Sequence, residues 1–177
     1  MPELTGVLLV GGASRRFGSP KALARFRGET LAERGHRLLA EACDEVLVVG
    51  KADELEGLPF PVVDDGSPDR APVHGLVAGL RRARFEVIVA LPVDVPLVTA
   101  DALRALGAAG AVPSATIPLP GAYPRALLGT LEARVAAGDL SLRGVNRVTL
   151  ALPEAMLVDV DTPEALARLD AAAGPQG

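Results

Sequence analysis

The segment that follows the first apolar run of the chain carries groups suited to a polyphosphate. Residues 7–10 form an uninterrupted apolar run, which is typical of a buried β-strand. The next residues with ligand-binding chemistry are three glycines, two serines, two arginines and a lysine: Gly11, Gly12, Ser14, Arg15, Arg16, Gly18, Ser19 and Lys21. Glycines let backbone N–H groups approach a ligand closely, and neighbouring cations neutralise phosphate charge. We therefore predict a nucleotide site directly after this strand.

The loop differs from the two common phosphate-binding fingerprints. A P-loop reads G-x-x-x-x-G-K-[ST], but here Ser19 and Pro20 separate Gly18 from Lys21. The dinucleotide pattern G-x-G-x-x-G also fails, because the first two glycines are adjacent. The loop does match L-x-G-G-x-S-x-R-[MF]-G-x-x-K. In this respect the chain resembles the molybdenum cofactor guanylyltransferases, which are nucleotidyltransferases built on a Rossmann-like sheet. A glycine-rich turn that serves packing alone is the alternative.

Apolar runs alternate with amphipathic segments along the whole chain, and this predicts an α/β fold. The predicted strands are 6–10, 45–49, 60–63, 87–91, 115–117 and 156–160, and the predicted helices are 30–43, 73–84, 99–108, 124–136, 140–146 and 163–172. We expect a single-domain, three-layer α/β/α architecture with a mostly parallel Rossmann-like sheet. The domain is expected to span residues 1–173, with a disordered tail at 174–177, and the Gly- and Pro-rich segment 110–123 is interpreted as a surface excursion.

Aspartates follow three of the predicted strands within a few residues: Asp64 and Asp65, then Asp94, then Asp161. Ligands of such sheets bind at the carboxyl ends of the strands, so these side chains share one rim with the glycine loop. Asp94 lies between Pro92 and Pro96, which stiffen its turn. A rigid carboxylate beside a triphosphate is a suitable ligand for Mg²⁺, which takes one or two carboxylates plus phosphate oxygens. Capping of the following helix is the alternative for Asp94, but Thr99 is the better cap.

The resemblance spans about residues 5–170 and implies roles for these positions. Lys21, Arg15 and Asp94 are the expected catalytic residues, with Asp94 as the metal ligand and Asp161 as a second candidate ligand. The expected nucleotide contacts are Leu9, Val10, Gly11, Gly12, Ser14, Arg16, Gly18, Lys21, Asp65 and Asp94. Spacing to Pro72 favours Asp65 over Asp64 for this role. Arg125 and Arg143 are candidate contacts for the phosphate of the acceptor, although solvated helix faces explain them equally well.

The resemblance implies transfer of GMP from GTP to the terminal phosphate of molybdopterin, with Mg²⁺ as the cofactor. The double glycine Gly11–Gly12 favours guanine, because relatives that transfer cytidylyl groups tend to have L-A-A-G here. Two residues depart from the pattern, since Ala71 replaces a glycine and His74 replaces a small residue. The alternatives are a cytidylyltransferase, another small-acceptor nucleotidyltransferase, and a non-catalytic nucleotide-binding homologue.

Composition narrows the classes of partner. A formal net charge of −4, an aromatic content of 3% and the absence of tryptophan argue against nucleic-acid binding. Cys43 is the single cysteine, which excludes an intramolecular disulfide and a cysteine-based metal cluster. The first residues lack a basic region, and the apolar run after them is too short for a signal peptide or a membrane span. We expect a cytoplasmic protein without membrane contact, with transient contacts to cofactor synthesis or insertion proteins.

Overall fold

A computed structural model describes residues 1–11 and 16–172 of the chain. Among these residues, one sheet contains five strands: β1 (Leu4–Leu9), β4 (Glu45–Gly50), β5 (Val63–Asp64), β6 (Val87–Pro92) and β7 (Gly121–Pro124). The strand order is β5-β4-β1-β6-β7, and every pairing is parallel except that of β7 with β6. A separate small hairpin pairs β2 (Arg25–Phe26) with β3 (Glu29–Thr30). The prediction of a mostly parallel sheet is confirmed.

Helices cover both faces of this sheet. In the described part of the chain they are α1 (Leu31–Ala42), α2 (Pro72–Arg82), α3 (Ala100–Ala109), α4 (Leu128–Ala136) and α5 (Pro163–Ala172). Alternate residues of β1 pack in opposite directions, with Leu4 and Leu8 against α1 and α3 and Val7 and Leu9 against α2. A strand with two buried faces is apolar at every position, which explains the apolar run in the sequence. The three-layer α/β/α architecture is therefore confirmed.

The helix starts follow the local chemistry of the sequence. Thr30 caps α1 in a capping box: its Oγ1 accepts from the Glu33 amide at 3.1 Å, and the Glu33 carboxylate accepts from the Thr30 amide at 2.8 Å. Thr99 and Thr162 cap α3 and α5 through their hydroxyls, which accept from the amides of Ala102 and Ala165. Pro72 occupies the first turn of α2, where a missing N–H costs nothing. No helix among the described residues is long and apolar enough to cross a membrane.

The second half of the sheet differs from the prediction. The segment 115–117 is not a strand, and the antiparallel strand is instead β7, within a stretch where Ala111, Val112 and Tyr123 are buried. The segment 110–123 is therefore only partly a surface excursion. Buried Asn146 links it to the fold, because its Nδ2 donates to the carbonyls of Gly110 at 2.8 Å and Ala122 at 2.7 Å. The strand β7 consists of small residues, a tyrosine and a proline, a composition that is not typical of a strand. It forms because it pairs with β6.

Two other predicted elements do not form. Residues 140–146 contain a turn rather than a helix, although Leu142 and Val145 are buried. Residues 156–160 are not a strand: a 3-10 turn at Glu154–Leu157 leads into extended chain, and the Val160 amide donates to the Asp94 carbonyl at 2.8 Å. The helix predicted at 124–136 begins at Leu128, after a 3-10 turn. The predicted tail 174–177 lies outside the described residues.

Candidate active site

A cleft of about 260 Å³ opens at the carboxyl ends of β1, β4 and β6. The chain adds strands on one side of β1 up to β5 and then crosses to the other side for β6. Such a reversal leaves a crevice above the central strand, where ligands of α/β sheets bind. The floor consists of residues at the ends of the strands, among them Leu9, Val10 and Gly11. Charged side chains line the cleft in two groups, one beside β6 and one beside β5, and we call these groups the first and second poles.

The first pole joins three residues that the sequence predicts for catalysis or metal binding. The Lys21 ammonium lies 3.4 Å from Asp94 Oδ2 and 3.2 Å from Asp161 Oδ1. Lys21 comes from a 3-10 turn at Lys21–Leu23, Asp94 from the turn after β6, and Asp161 from the chain just before α5. The Val160–Asp94 backbone hydrogen bond brings the last two segments together. We call this group the Lys21 cluster.

Asp94 lies in an environment that favours a nearby cation. Burial raises the pKa of the Asp94 carboxyl, and the ammonium of Lys21 opposes this shift only in part. The negative charge of Asp159 adds to the rise of this pKa. The side chain of Asp94 is 29% exposed, against 57% for Asp161, so Asp94 is the more deeply set carboxylate of the cluster. A further cation at this position would stabilise its ionised form.

The second pole is built on a buried ion pair that sequence reasoning missed. Lys51 Nζ lies 2.6 Å from Asp65 Oδ1 and also donates to the Ser67 carbonyl. Asp65 lines the cleft, whereas the Asp64 carboxylate is exposed and accepts from the Gly66 amide at 2.7 Å. The structure thus places Asp65, not Asp64, beside the cleft. Lys51 follows the strand β4 directly, so the strand-end rule used for the aspartates also points to it.

The described part of the glycine loop forms the floor between the two poles. Leu9 and Val10 are buried, and Gly11 packs against Gly50 at the end of β4. A Cβ atom on Gly11 would lie 3.1 Å from Gly50 Cα, and one on Gly50 would lie 2.8 Å from the Gly11 nitrogen. This close approach of two backbones excludes a side chain at Gly50 and leaves little room for one at Gly11, so Gly11 has a packing role besides the predicted one.

The remaining loop residues are placed only in part. Gly12, Ser14 and Arg15 lie outside the described residues, so their roles stay predictions. Arg16 and Gly18 are exposed, and the structure does not place them in the described lining of the cleft. Gly18 has φ of +69°, a left-handed conformation that other residues adopt with strain.

The neighbourhood of α2 contains both departures from the family pattern. Ala71 precedes α2 and lines the cleft together with Arg70 and Pro72. Arg70 forms an ion pair with Glu54 at the surface. The His74 side chain is mostly buried, with Nε2 lying 3.7 Å from an Asp69 carboxylate oxygen. The structure therefore shows His74 as a packed residue of the first turn of α2, facing Asp69.

Arg125 does not belong to the site, contrary to the hypothesis that it contacts an acceptor phosphate. Its Nη1 donates to the Leu80 carbonyl at 2.9 Å, and its Nη2 donates to the carbonyls of Ala83 and Phe85. These carbonyls lie at the carboxyl end of α2, and α2 begins at the cleft, so Arg125 stands at the opposite edge of the sheet. The guanidinium caps a helix end whose carbonyls lack helical partners.

Replacing Arg125 by methionine is therefore expected to lower stability without changing ligand binding. Loss of a cation hydrogen-bonded to three carbonyls should reduce the free energy of unfolding by about 2 kcal/mol. Urea denaturation measures this change, and Arg143→Met, at an exposed position, is the matched control with an expected change within about 0.5 kcal/mol. Unchanged stability combined with weaker binding of a phosphorylated ligand would contradict the structural role.

Comparisons with known proteins identify the family and the fold. The sequence model of the MobA-like NTP transferase domain matches residues 6–154. The chain belongs to this family. A relative in Rhodopirellula baltica, named a probable molybdenum cofactor guanylyltransferase, is 32% identical over 189 aligned residues, covering 92% of this chain and 89% of the relative. The resemblance seen in the glycine loop is confirmed, and the protein is a nucleotidyltransferase.

Solved structures show the same fold. Molybdopterin-guanine dinucleotide biosynthesis protein A from Archaeoglobus fulgidus superposes with a TM-score of 0.80 at 20% identity, covering 96% of this chain and 98% of that one. Rv0371c from Mycobacterium tuberculosis, solved as a complex with manganese, has a TM-score of 0.64 at 23% identity. The match covers 96% of this chain and 99% of that one. The family match ends before Asp161, so the last member of the Lys21 cluster lies beyond it.

Proposed function

We propose that this nucleotidyltransferase transfers GMP from GTP to the terminal phosphate of molybdopterin and releases pyrophosphate. The observation that carries the proposal is the Lys21 cluster, in which a lysine and two aspartates meet at the cleft where the glycine loop begins. The names of relatives that align with most of the chain support guanine and the molybdopterin acceptor. The double glycine of the loop supports guanine over cytosine.

The two poles divide the work of nucleotide binding. Lys21 supplies positive charge at the first pole, which we call the phosphate pole because the triphosphate would lie there. The predicted contacts of Arg15 and of the loop amides would add to this charge. Asp65 stands across the cleft floor, where an acceptor-only carboxylate suits N–H or O–H donors of the nucleoside. A GTP molecule lying across Gly11 would therefore place its triphosphate beside Lys21 and its nucleoside beside Asp65.

The residues of the Lys21 cluster fit a magnesium ion. Asp94 and Asp161 direct oxygens toward one cation, the Lys21 ammonium, and burial leaves the Asp94 charge poorly solvated. Carboxylate oxygens are the ligands that Mg²⁺ takes together with phosphate oxygens. Asp94 and Asp161 would hold Mg²⁺, which when bound neutralises charge on the triphosphate. The manganese in the structure of Rv0371c supports a divalent ion in this fold.

The acceptor needs no base from the protein. A phosphomonoester has a second pKa of about 6, so it is mostly dianionic at neutral pH and already nucleophilic. One of its oxygens bonds to the α-phosphorus of GTP, the bond from that phosphorus to the bridging oxygen breaks, and pyrophosphate leaves. The contribution of the chain is to position the two phosphates in line and to neutralise their charge.

Thermal-shift titration with GTP, CTP, ATP and UTP, each with Mg²⁺, tests the nucleotide. We expect GTP to raise the melting temperature most, because ligand binding to the folded state adds RT ln(1 + [L]/Kd) of stability. A preference for CTP would support a cytidylyltransferase instead. Binding of GTP without pyrophosphate release in the presence of molybdopterin would support the non-catalytic alternative, and no shift with any nucleotide would overturn the proposal.

A further inference from the structure

We propose that Lys51 is a positioning residue for nucleotide recognition, because it holds the Asp65 carboxylate with its second oxygen turned toward the nucleoside. This inference rests on the proposed function, since it assumes that a nucleotide occupies the cleft. Lys51 itself does not line the cleft described above, whereas Asp65 does. Lys51 would therefore act through Asp65 and not by contact with the ligand.

The two oxygens of Asp65 have different surroundings. Oδ1 accepts from Lys51 Nζ at 2.6 Å and from the Ser67 amide at 3.0 Å. Oδ2 accepts no hydrogen bond from the described part of the chain, and it lies 3.7 Å from where a Cβ of Gly11 would be. The oxygen with two donors is fixed, and the other faces the cleft floor. The carboxylate is thus oriented before any ligand arrives.

Burial makes the orientation depend on Lys51. The Lys51 side chain is 11% exposed and that of Asp65 is 5% exposed, so water cannot replace either partner easily. Breaking a buried pair from one side leaves an uncompensated charge, which would turn toward solvent. Oδ2 would then no longer be presented to a donor in the cleft.

Lys51 also connects the end of β4 to the loop that follows β5. Its ammonium bridges the Asp65 side chain and the Ser67 carbonyl, while the Asp65 amide donates to the Gly50 carbonyl at 3.2 Å. The end of β4 and the loop that leads to Arg70 are therefore held together.

A lysine suits position 51 because the space between its two oxygen partners is small. The chain has 18 lysine and arginine residues, of which only Lys21 and Lys51 are lysines. Each of these lysines pairs with an aspartate that lines the cleft. An ammonium is a small point charge that fits between two oxygens, whereas a guanidinium is a wide planar fork. Lys51→Arg would keep the charge but displace the carboxylate.

A double-mutant cycle tests the inference. Calorimetry gives the GTP affinity, in the presence of Mg²⁺, of Lys51→Met, Asp65→Asn, the double variant and the wild type. We expect Lys51→Met to weaken GTP binding by at least about tenfold, and the double variant to bind like Asp65→Asn alone. Arg82→Met, exposed at the far end of α2, is the matched control and should bind like the wild type.

Inorganic tripolyphosphate provides a readout that a merely structural role would not give. It can occupy the phosphate pole without a nucleoside, so its affinity should be unchanged in Lys51→Met. Lys51→Arg is a second variant that keeps the test decisive if Lys51→Met does not fold. We expect Lys51→Arg to bind GTP several-fold more weakly than the wild type and to bind tripolyphosphate equally well. Wild-type GTP affinity in either variant, additive effects in the cycle, or parallel loss of tripolyphosphate would overturn the inference. Failure of the wild type to bind GTP would instead overturn the proposed function.

Discussion

Asp94→Ala is expected to abolish measurable pyrophosphate release while leaving the protein folded. Asp94 is the more buried carboxylate of the Lys21 cluster and stands on a turn between two prolines, so its oxygens are held firmly at the cleft. Loss of about 4 kcal/mol of charge stabilisation corresponds to roughly a 10³-fold decrease in rate. The fold should survive, because burial already disfavours the charged form of Asp94, as the raised pKa of this carboxyl indicates.

Steady-state pyrophosphate release and thermal melting together measure this result. Asp161→Ala should have a smaller effect on rate, because that carboxylate is more exposed and more easily replaced by water. Asp64→Ala serves as the control at the same rim, since Asp64 is exposed and contacts its own turn. Near-normal turnover of Asp94→Ala would remove this residue from the mechanism.

Lys21→Met is expected to change the affinities for nucleotide and metal in opposite directions. The ammonium of Lys21 now lies between the carboxylates of Asp94 and Asp161, where a divalent cation would compete with it. Without this lysine the triphosphate loses a charge-assisted partner, and GTP binding should weaken roughly 10- to 100-fold. The two carboxylates lose their internal counter-charge, so Mn²⁺ should bind more tightly in the absence of nucleotide.

Paramagnetic resonance of free and bound Mn²⁺, with calorimetry of GTP, separates the two effects. The wild type should bind Mn²⁺ weakly until GTP is added, because the triphosphate draws the ammonium away from the carboxylates. Arg82→Met again removes one positive charge far from the cleft and should alter neither affinity. Weaker Mn²⁺ binding by Lys21→Met would show that the lysine does not compete with the metal.

The side chains at the carboxyl edge of the sheet could be predicted from the sequence, because a simple rule places them there. Parallel strands end at one edge, so a side chain that follows an apolar run lies near those that follow the others. This rule correctly placed Asp65, Asp94 and Asp161 around one cleft with the start of the glycine loop, although residues 156–160 are not a strand. Asp161 reaches the site through the Val160–Asp94 hydrogen bond, which replaces strand pairing.

Contacts between distant segments could not be predicted in the same way. The strand β7 consists of Gly121, Ala122, Tyr123 and Pro124, which locally resemble a turn, and it exists because β6 and Asn146 provide partners. Arg125 has the character of a phosphate ligand in sequence, and only its position at the carboxyl end of α2 shows that it is a cap. Lys51 follows β4 directly, but no motif contains it, and its pairing with Asp65 depends on a loop contact that the sequence does not show.

The Val160–Asp94 hydrogen bond also limits how far the chain can be shortened from its carboxyl end without loss of the Lys21 cluster. The match to the family model ends at residue 154, yet the chain beyond it returns to the cleft and contributes Asp161 to the Lys21 cluster. A protein cut at residue 154 would retain the glycine loop but lose Asp161 from the Lys21 cluster. We therefore expect the smallest active fragment to extend at least through Asp161 and the cap of α5, beyond the point where the match to the family model ends.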